Sequence, residues 1–138
     1  MKKVFLDTNI LIDVVAKREG FYEVASNILN LGIEGQVILC VTPMSYATCA
    51  FVARKVLGYK GAIRVLQLLE KYLEFVPMTS AQCRSALYAD MPDFEDMLQY
   101  EAAQDAGCSC IVTRNGKHFP QSGIPVLSPV DFLGLLDE

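Results

Sequence analysis

The sequence predicts an α/β fold in which a mostly parallel sheet is covered by helices on both faces, as a three-layer α/β/α sandwich. Short uninterrupted apolar runs, of which residues 37–41 are the clearest, are typical of strands buried on both faces. These runs alternate with longer segments whose apolar residues recur at helical spacing. The 138 residues suffice for one compact domain and are too few for two ordinary ones, so we expect a single domain over residues 1–138.

The chain begins with a short apolar strand over residues 3–6. Thr8 or Asn9 then caps a helix over residues 8–17, whose apolar residues share one face. After a polar break, apolar residues at helical spacing predict a second helix over residues 21–34, which glycines bring to an end.

The middle of the chain predicts a second strand followed by two helices. The strand is the apolar run over residues 37–41. Pro43 lies near the first position of the next helix, where proline is common, and this helix runs to about Leu57, where Gly58 ends it. Apolar residues at helical spacing then predict a further helix over residues 60–73.

The remaining part of the chain alternates in the same way. In order, its elements are a strand over residues 74–77, a helix over 81–89, a helix over 93–106, a strand over 108–112, a turn over 113–116, a strand over 124–127 and a terminal helix opening at Ser128-Pro129. Thr79 or Ser80 caps the first of these helices, and Gly107 ends the second. Pro125 indicates that the last strand lies at a sheet edge, because proline cannot donate a ladder hydrogen bond.

Composition limits the class of protein and its compartment. The chain is 52% hydrophobic and 20% charged, which favours a sizeable core, and no run approaches the roughly 18 apolar residues of a membrane span. Because a strand begins at once, no room is left for a signal peptide, and we expect a cytoplasmic protein with no membrane partner. The five cysteines lack the spacing of a zinc site or a disulfide framework, so buried free thiols are expected.

Polar residues mark three junctions between predicted strands and helices. Asp7 follows the first strand, Asp93 and Asp96 open the helix before the fourth strand, and residues 113–115 follow that strand. Ligands of open parallel sheets bind at the carboxyl ends of the strands, so these side chains are expected to meet at one edge. Each junction also has a plainer interpretation, since Asp7 and Asp93 can cap helices and Arg114 can belong to an ordinary loop.

Carboxylates packed together require a compensating cation. If Asp7 and Asp96 face each other, with Asp93 beside them, the three groups cannot all stay ionised without one. Hard divalent ions that take oxygen ligands and retain water, Mg²⁺ or Mn²⁺, are the usual compensation. Such a site can bind a phosphodiester, activate water and stabilise the departing oxygen. His118 is the only histidine, which excludes an acid–base mechanism that needs two.

These segments resemble those of the PIN domain ribonucleases, and within them the bacterial toxin-like (VapC-like) proteins. The resemblance lies in residues 7–13, 93–99 and 111–115 together with Phe119, in this order and at these spacings. It implies an α/β/α fold with a central five-stranded parallel sheet and metal-dependent cleavage of RNA. It also implies a homodimer and, often, neutralisation by a small antitoxin protein.

By this resemblance Asp7 matches the first metal-binding acid, Asp96 matches the acid on the later helix, and Asp93 matches an acid of one subgroup. Two departures reduce the negative charge. Thr48 lies near the place of a usual glutamate, and Asn115 lies where many members carry an aspartate. Fewer charged ligands should weaken metal binding.

The sequence therefore predicts a Mg²⁺- or Mn²⁺-dependent ribonuclease, the toxin of a type II toxin–antitoxin pair, with Asp7, Asp96 and Asp93 as its catalytic and metal-binding residues. The residues expected to orient ligands, water or substrate are Thr8, Asn9, Thr113, Arg114 and Asn115. The alternative is a module that binds RNA or a protein partner without cleavage, which the two departures leave open. The net charge of −4 weakens the expectation of a simple nucleic-acid binder. A phosphatase with an aspartyl nucleophile is weaker, because Asn9 stands where such enzymes want a second aspartate.

Overall fold

The computed structural model describes residues 2–136, over which strands and helices alternate. In chain order the elements are β1 (Lys3–Leu6), α1 (Thr8–Val15), α2 (Tyr22–Ile33), β2 (Ile38–Val41), α3 (Pro43–Glu70), β3 (Leu73–Phe75), α4 (Ser80–Tyr88), α5 (Phe94–Asp105), β4 (Cys110–Val112), β5 (Val126–Leu127) and α6 (Pro129–Leu136). A single 3₁₀ turn, Gly116–His118, lies between β4 and β5. The predicted order of strands and helices is confirmed.

The five strands form one sheet in the order β3-β2-β1-β4-β5, and every neighbouring pair is parallel. β1 lies at the centre, where Phe5 pairs with Cys40 of β2 on one side and with Ile111 of β4 on the other. β5 is an edge strand, as its proline indicated. The strand order reverses between β1 and β4, so the crevice that binds ligands in such sheets is expected at the carboxyl ends of these two strands.

Helices cover both faces of the sheet. Because side chains alternate along each strand, β1, β2 and β4 each contribute residues to the core on both faces. Val4 and Leu6 of β1 pack into a core with residues of α1, α2, α3 and α6, such as Ile28 of α2. Phe5 points to the opposite face, where it packs with residues of α4 and α5, such as Ala103. This arrangement is the three-layer α/β/α sandwich that the sequence predicted.

Local details differ from prediction in several places; for example, β3 ends at Phe75 rather than at residue 77, and β5 begins at Val126 rather than at residue 124. Asp7, rather than Thr8 or Asn9, is the N-cap of α1 and accepts a hydrogen bond from the backbone N–H of Thr8. The two helices predicted on either side of Gly58 run directly into one another, because Gly58 alone is non-helical (φ 73°, ψ 165°), a conformation that glycine adopts at little cost. β4 begins at Cys110 instead of residue 108, since the chain is still leaving α5 there.

The described residues include no helix with both the length and the apolarity needed to cross a membrane. The cysteines are free thiols, and all but Cys83 are buried. Burial raises the pKa of Cys49 to about 12, so this thiol stays protonated and unreactive at neutral pH.

Candidate functional site

The candidate site lies at the carboxyl ends of β1 and β4, where the strand order reverses. Asp7 directly follows β1, and its backbone N–H donates to the carbonyl of Val112, the last residue of β4. Thr113 follows β4 and is almost completely buried. The parallel pairing of these two strands therefore brings two polar junctions that are far apart in sequence to one point.

Asp7 is 3% exposed, and its carboxylate accepts hydrogen bonds from neutral donors on both oxygens. Oδ1 accepts from the backbone N–H of Thr8 and from Nε2 of Gln99, each at 2.7 Å. Oδ2 accepts from the hydroxyl of Thr113 at 2.7 Å and from Nδ2 of Asn9 at 3.4 Å. Burial raises the pKa of Asp7 despite these hydrogen bonds, which act in the opposite direction.

A buried polar network extends from Gln99, which donates to Oδ1 of Asp7. The amide of Gln99 donates to Thr8 Oγ1 at 3.1 Å and accepts from the hydroxyl of Ser45 at 2.8 Å. Ser45 also shares a 2.8 Å hydrogen bond with Thr8 and accepts from the hydroxyl of Thr42 at 3.1 Å. Because every polar group of the network has a partner, α1, α3 and α5 hold the carboxylate in one orientation.

The N-terminal end of α5 brings three further carboxylates, those of Asp93, Glu95 and Asp96, to the same place. Asp93 is the N-cap of this helix, and its Oδ1 accepts from the backbone N–H of Asp96 at 3.0 Å. Burial and the neighbouring carboxylates of Asp7 and Asp93 raise the pKa of Asp96 to about 7. Burial and the same carboxylates also raise the pKa of Glu95. These shifts indicate that the acids repel one another and that a cation between them would relieve the repulsion.

The 3₁₀ turn after β4 places His118 against these acids. Its Nδ1 lies 3.1 Å from Oδ2 of Asp96. One potential ligand atom from each of Asp93, Asp96 and His118 can be chosen so that all lie within 4.8 Å of one another. Carboxylate oxygens and one imidazole nitrogen are donors that a divalent ion accepts, so the residues present fit a metal ion.

These side chains line an open cleft of about 230 Å³. Its described lining consists of Asp7, Thr8, Asn9, Ile12, Asp93, Glu95, Asp96, Asn115 and His118. This lining includes four carboxylates and neither lysine nor arginine. An arrangement of this kind can hold a divalent cation and, through it, an anionic substrate.

Most of the site residues predicted from sequence are brought together, but Arg114 is directed elsewhere. Its Nε and Nη2 donate to the two carboxylate oxygens of Asp13 at 2.8 Å and 3.0 Å. Its guanidinium also lies 3.9 Å from the ring centroid of Phe21. Asn115 lies exposed at the rim of the cleft, and Thr48 is not among its lining residues.

Three residues of this region, Gln99, Ser45 and His118, were not among the predicted site residues. Gln99 could have been found from the sequence, because it lies one helical turn after Asp96 and therefore shares its face of α5. Ser45 gave no signal beyond its place in the first turn of α3. The approach of His118 to Asp96 depends on the 3₁₀ turn, which the sequence shows only as a polar segment.

Comparisons with known proteins agree with this architecture. A family model described as a PIN domain matches residues 3–117. A curated relative, ribonuclease VapC1 of Aquifex aeolicus, is 26% identical over 136 residues, which span 95% of this chain and 93% of that protein.

Solved structures with the same fold are similar over most of this chain. They include a toxin–antitoxin complex from Klebsiella pneumoniae, at 24% identity and a TM-score of 0.64, covering 91% of this chain and 97% of that one. VapBC2 from Rickettsia felis, bound to a DNA fragment from its promoter, has a TM-score of 0.64 at 18% identity, with the same coverage. Mycobacterium tuberculosis VapC20, a toxin that cleaves the sarcin–ricin loop, has a TM-score of 0.63 at 11% identity, covering 78% of this chain and 86% of that one.

Proposed function

The chain belongs to the PIN domain family, and from that membership we propose that it is a metal-dependent ribonuclease that hydrolyses RNA phosphodiester bonds as the toxin of a type II toxin–antitoxin pair. One observation carries the proposal: Asp7, Asp93 and Asp96 line a single cleft at the reversal point of a parallel sheet, with no lysine or arginine in its described lining. The ribonuclease activity of the Aquifex relative supports the same substrate class.

In this proposal Asp7, Asp96 and Asp93 hold Mg²⁺ or Mn²⁺. The bound ion supplies positive charge against the phosphodiester and makes water a better nucleophile at neutral pH. Because Gln99 and Thr113 donate to Asp7 at 2.7 Å, its carboxylate is already oriented before any ligand arrives.

The remaining polar residues of the cleft have positioning roles in the proposal. Asn9 donates to Asp7 and to Thr113, so Thr8, Asn9 and Thr113 keep the first acid in place. Asn115 is exposed at the rim, where its amide can contact a phosphate or a ribose hydroxyl of the substrate. Arg114 contributes indirectly, since its backbone N–H donates to Oδ1 of Asn9 at 3.4 Å.

The test is cleavage of a mixed pool of structured RNA by purified protein in Mn²⁺, in Mg²⁺ and in EDTA. We expect cleavage only with metal, and we expect Asp7→Asn to slow it at least about 1,000-fold, equivalent to about 4 kcal/mol of transition-state stabilisation. Asp131→Asn is the matched control, because it removes the same charge from an exposed position on α6. A folded Asp7→Asn protein that cleaves at the wild-type rate would overturn the mechanism.

A second candidate function is RNA or protein binding without cleavage. It is favoured by Asn115, which lines the cleft without a charge, and by Thr48, which stands near the place of a usual glutamate in the sequence. RNA affinity that survives Asp7→Asn and does not change between Mn²⁺ and EDTA, with no cleavage at high Mn²⁺, would support this function instead.

We extend the proposal to protein partners and to a cytoplasmic place of action. An antitoxin is suggested because the Klebsiella structure is a toxin–antitoxin complex.

A homodimer is suggested by apolar side chains that α3 leaves in solvent, among them Phe51 (56% exposed), Val56 (67%) and Tyr59 (68%). We expect a dimer mass by light scattering and a monomer mass for Phe51→Glu; a wild-type monomer at high concentration would contradict the homodimer.

A further inference from the structure

We propose that His118 is a ligand of the metal ion in this cleft, and that the centre therefore prefers a first-row transition ion such as Mn²⁺ to Mg²⁺. The proposal rests on the metal-dependent function proposed above for the same site. It concerns the one ring nitrogen donor among the residues described around the cleft, because His118 is the only histidine in the chain.

The backbone holds the imidazole where a ligand is needed. His118 ends the 3₁₀ turn, and its backbone N–H donates to the carbonyl of Asn115 at 3.0 Å. The next residue, Phe119, is completely buried in the core beneath α5, which anchors the turn. The His118 side chain, about one third exposed, is thus fixed at the mouth of the cleft and reaches Asp96 directly.

The charges around the cleft favour a metal ion over a simple hydrogen bond between His118 and Asp96. Four carboxylates line the cleft. Arg114, four residues before His118 in the chain, is already paired with Asp13. A proton shared by Asp96 and His118 adds at most one positive charge to this group. A divalent ion adds two and accepts both the carboxylate oxygen and the imidazole nitrogen as ligands.

The imidazole sets the preference between ions. Mg²⁺ strongly prefers oxygen ligands and retains its water, whereas transition ions accept imidazole readily. His118 therefore adds little to the binding of Mg²⁺, which depends on the carboxylates, whereas it adds a nitrogen ligand for Mn²⁺. Asp7, Asp93 and Asp96 are shared by both ions, so the difference in affinity depends on His118.

Because the chain contains a single histidine, electron spin-echo spectroscopy of the Mn²⁺-loaded, untagged protein reports on His118 alone. We expect nuclear modulation from a coordinated ¹⁴N in the wild type and its loss in His118→Asn. Coupling in the wild type that disappears in this variant supports the proposal. Bound Mn²⁺ with no ¹⁴N coupling overturns it, and shows that His118 only hydrogen-bonds to Asp96.

Calorimetric titration of metal-stripped protein with Mn²⁺ and with Mg²⁺ measures the preference. We expect His118→Asn to weaken Mn²⁺ binding at least about tenfold and to change Mg²⁺ binding much less. His118→Asp should strengthen Mg²⁺ binding, because it restores an oxygen ligand. Lys117→Gln, which alters an exposed neighbour in the same 3₁₀ turn, is the matched control and should leave both affinities unchanged.

The two proposals fail in different ways. Mn²⁺ bound through carboxylates alone, with RNA cleavage retained, overturns the role of His118 and leaves the ribonuclease standing. A ¹⁴N-coupled Mn²⁺ site in a protein that never cleaves RNA supports His118 and overturns the ribonuclease. Protein that binds no Mn²⁺ at millimolar concentration overturns both.

Discussion

Asp7 and Asp13 lie near opposite ends of the same short helix, and both are buried. They differ in the groups that surround their charge: cations at Asp13 and neutral donors at Asp7. Asp13 is 1% exposed and receives two parallel hydrogen bonds from the guanidinium of Arg114. Arg18 approaches the same carboxylate to 4.0 Å, and Arg114 also stacks on Phe21. The charge of Asp13 is therefore balanced within the protein.

Asp7 has hydrogen bonds but no cation among the described residues around it. Its donors are neutral, and the charged groups nearest to it in the cleft are the carboxylates of Asp93, Glu95 and Asp96. Burial alone therefore does not separate a structural carboxylate from a functional one. The two acids differ in how their charge is balanced: Asp13 is paired with a cation within the protein, whereas Asp7 is not, which is consistent with the metal-binding role proposed above.

The largest expected effect on stability is at Asp13. Asp13→Asn leaves the partly buried Arg114 without its partner and should lower the free energy of unfolding by about 3 kcal/mol. Asp7→Asn, measured in EDTA, should change it by less than about 1 kcal/mol, because it removes a buried charge that nothing balances. Urea denaturation of both variants checks this contrast, which equal losses would break.

Substitution of Gln99 should have the next largest effect on stability, because its amide hydrogen-bonds to Asp7, Thr8 and Ser45 in the buried network. Gln99→Leu removes partners from Asp7, Thr8 and Ser45 at once and should lower the free energy of unfolding by about 2 kcal/mol. Gln104→Leu, the same change at an exposed position of α5, is the control in urea denaturation. A loss confined to the control would contradict the importance of the buried network.

Arg114→Lys distinguishes a structural arginine from one that meets substrate. A lysine keeps the charge but loses the paired geometry and the stacking on Phe21, so we expect a loss of about 1 kcal/mol in stability. Cleavage per folded molecule should stay within about twofold, because the side chain is directed at Asp13. If stability is kept and cleavage of RNA falls steeply, Arg114 contacts a phosphate, as the sequence allowed.

The smallest effect is expected at the rim of the cleft. Asn115→Asp adds a carboxylate beside the existing acids and should tighten Mn²⁺ binding about fivefold, close to 1 kcal/mol. Because Asn115 is exposed, the unfolding free energy in EDTA should not change measurably. Calorimetric titration of metal-stripped protein measures the affinity, and unchanged binding would show that this position lies too far from the ion.

Sequence patterns predicted the sheet, the helix order and the meeting of Asp7 with Asp93 and Asp96, for one physical reason. Parallel strands place their carboxyl ends at one edge, so Asp7 after β1 meets Thr113 after β4. The helix α5 leads directly into β4, so Asp93 and Asp96, at its N-terminal end, lie at the same edge. The cap role of Asp93 was also foreseen, and the structure shows that it is compatible with a place in the cleft.

What escaped prediction depends on side-chain geometry between distant elements. Gln99 and Ser45 are 54 residues apart in the sequence, and no local sequence pattern predicts a hydrogen bond between them. Arg114 could point to either face of its loop, and the buried Asp13 determined the outcome. The direction of His118 depends on a 3₁₀ turn that the sequence showed only as a polar segment.

The central position of β1 has a consequence for the protein during its own synthesis. Asp7 leaves the ribosome early, yet its partner Thr113 lies 106 residues later in the chain. At about 5–20 residues per second, this separation corresponds to about 5–20 s of translation. Until β4 emerges and pairs with β1, Thr113 cannot contact Asp7, so the cleft is complete only after most of the chain has been synthesised.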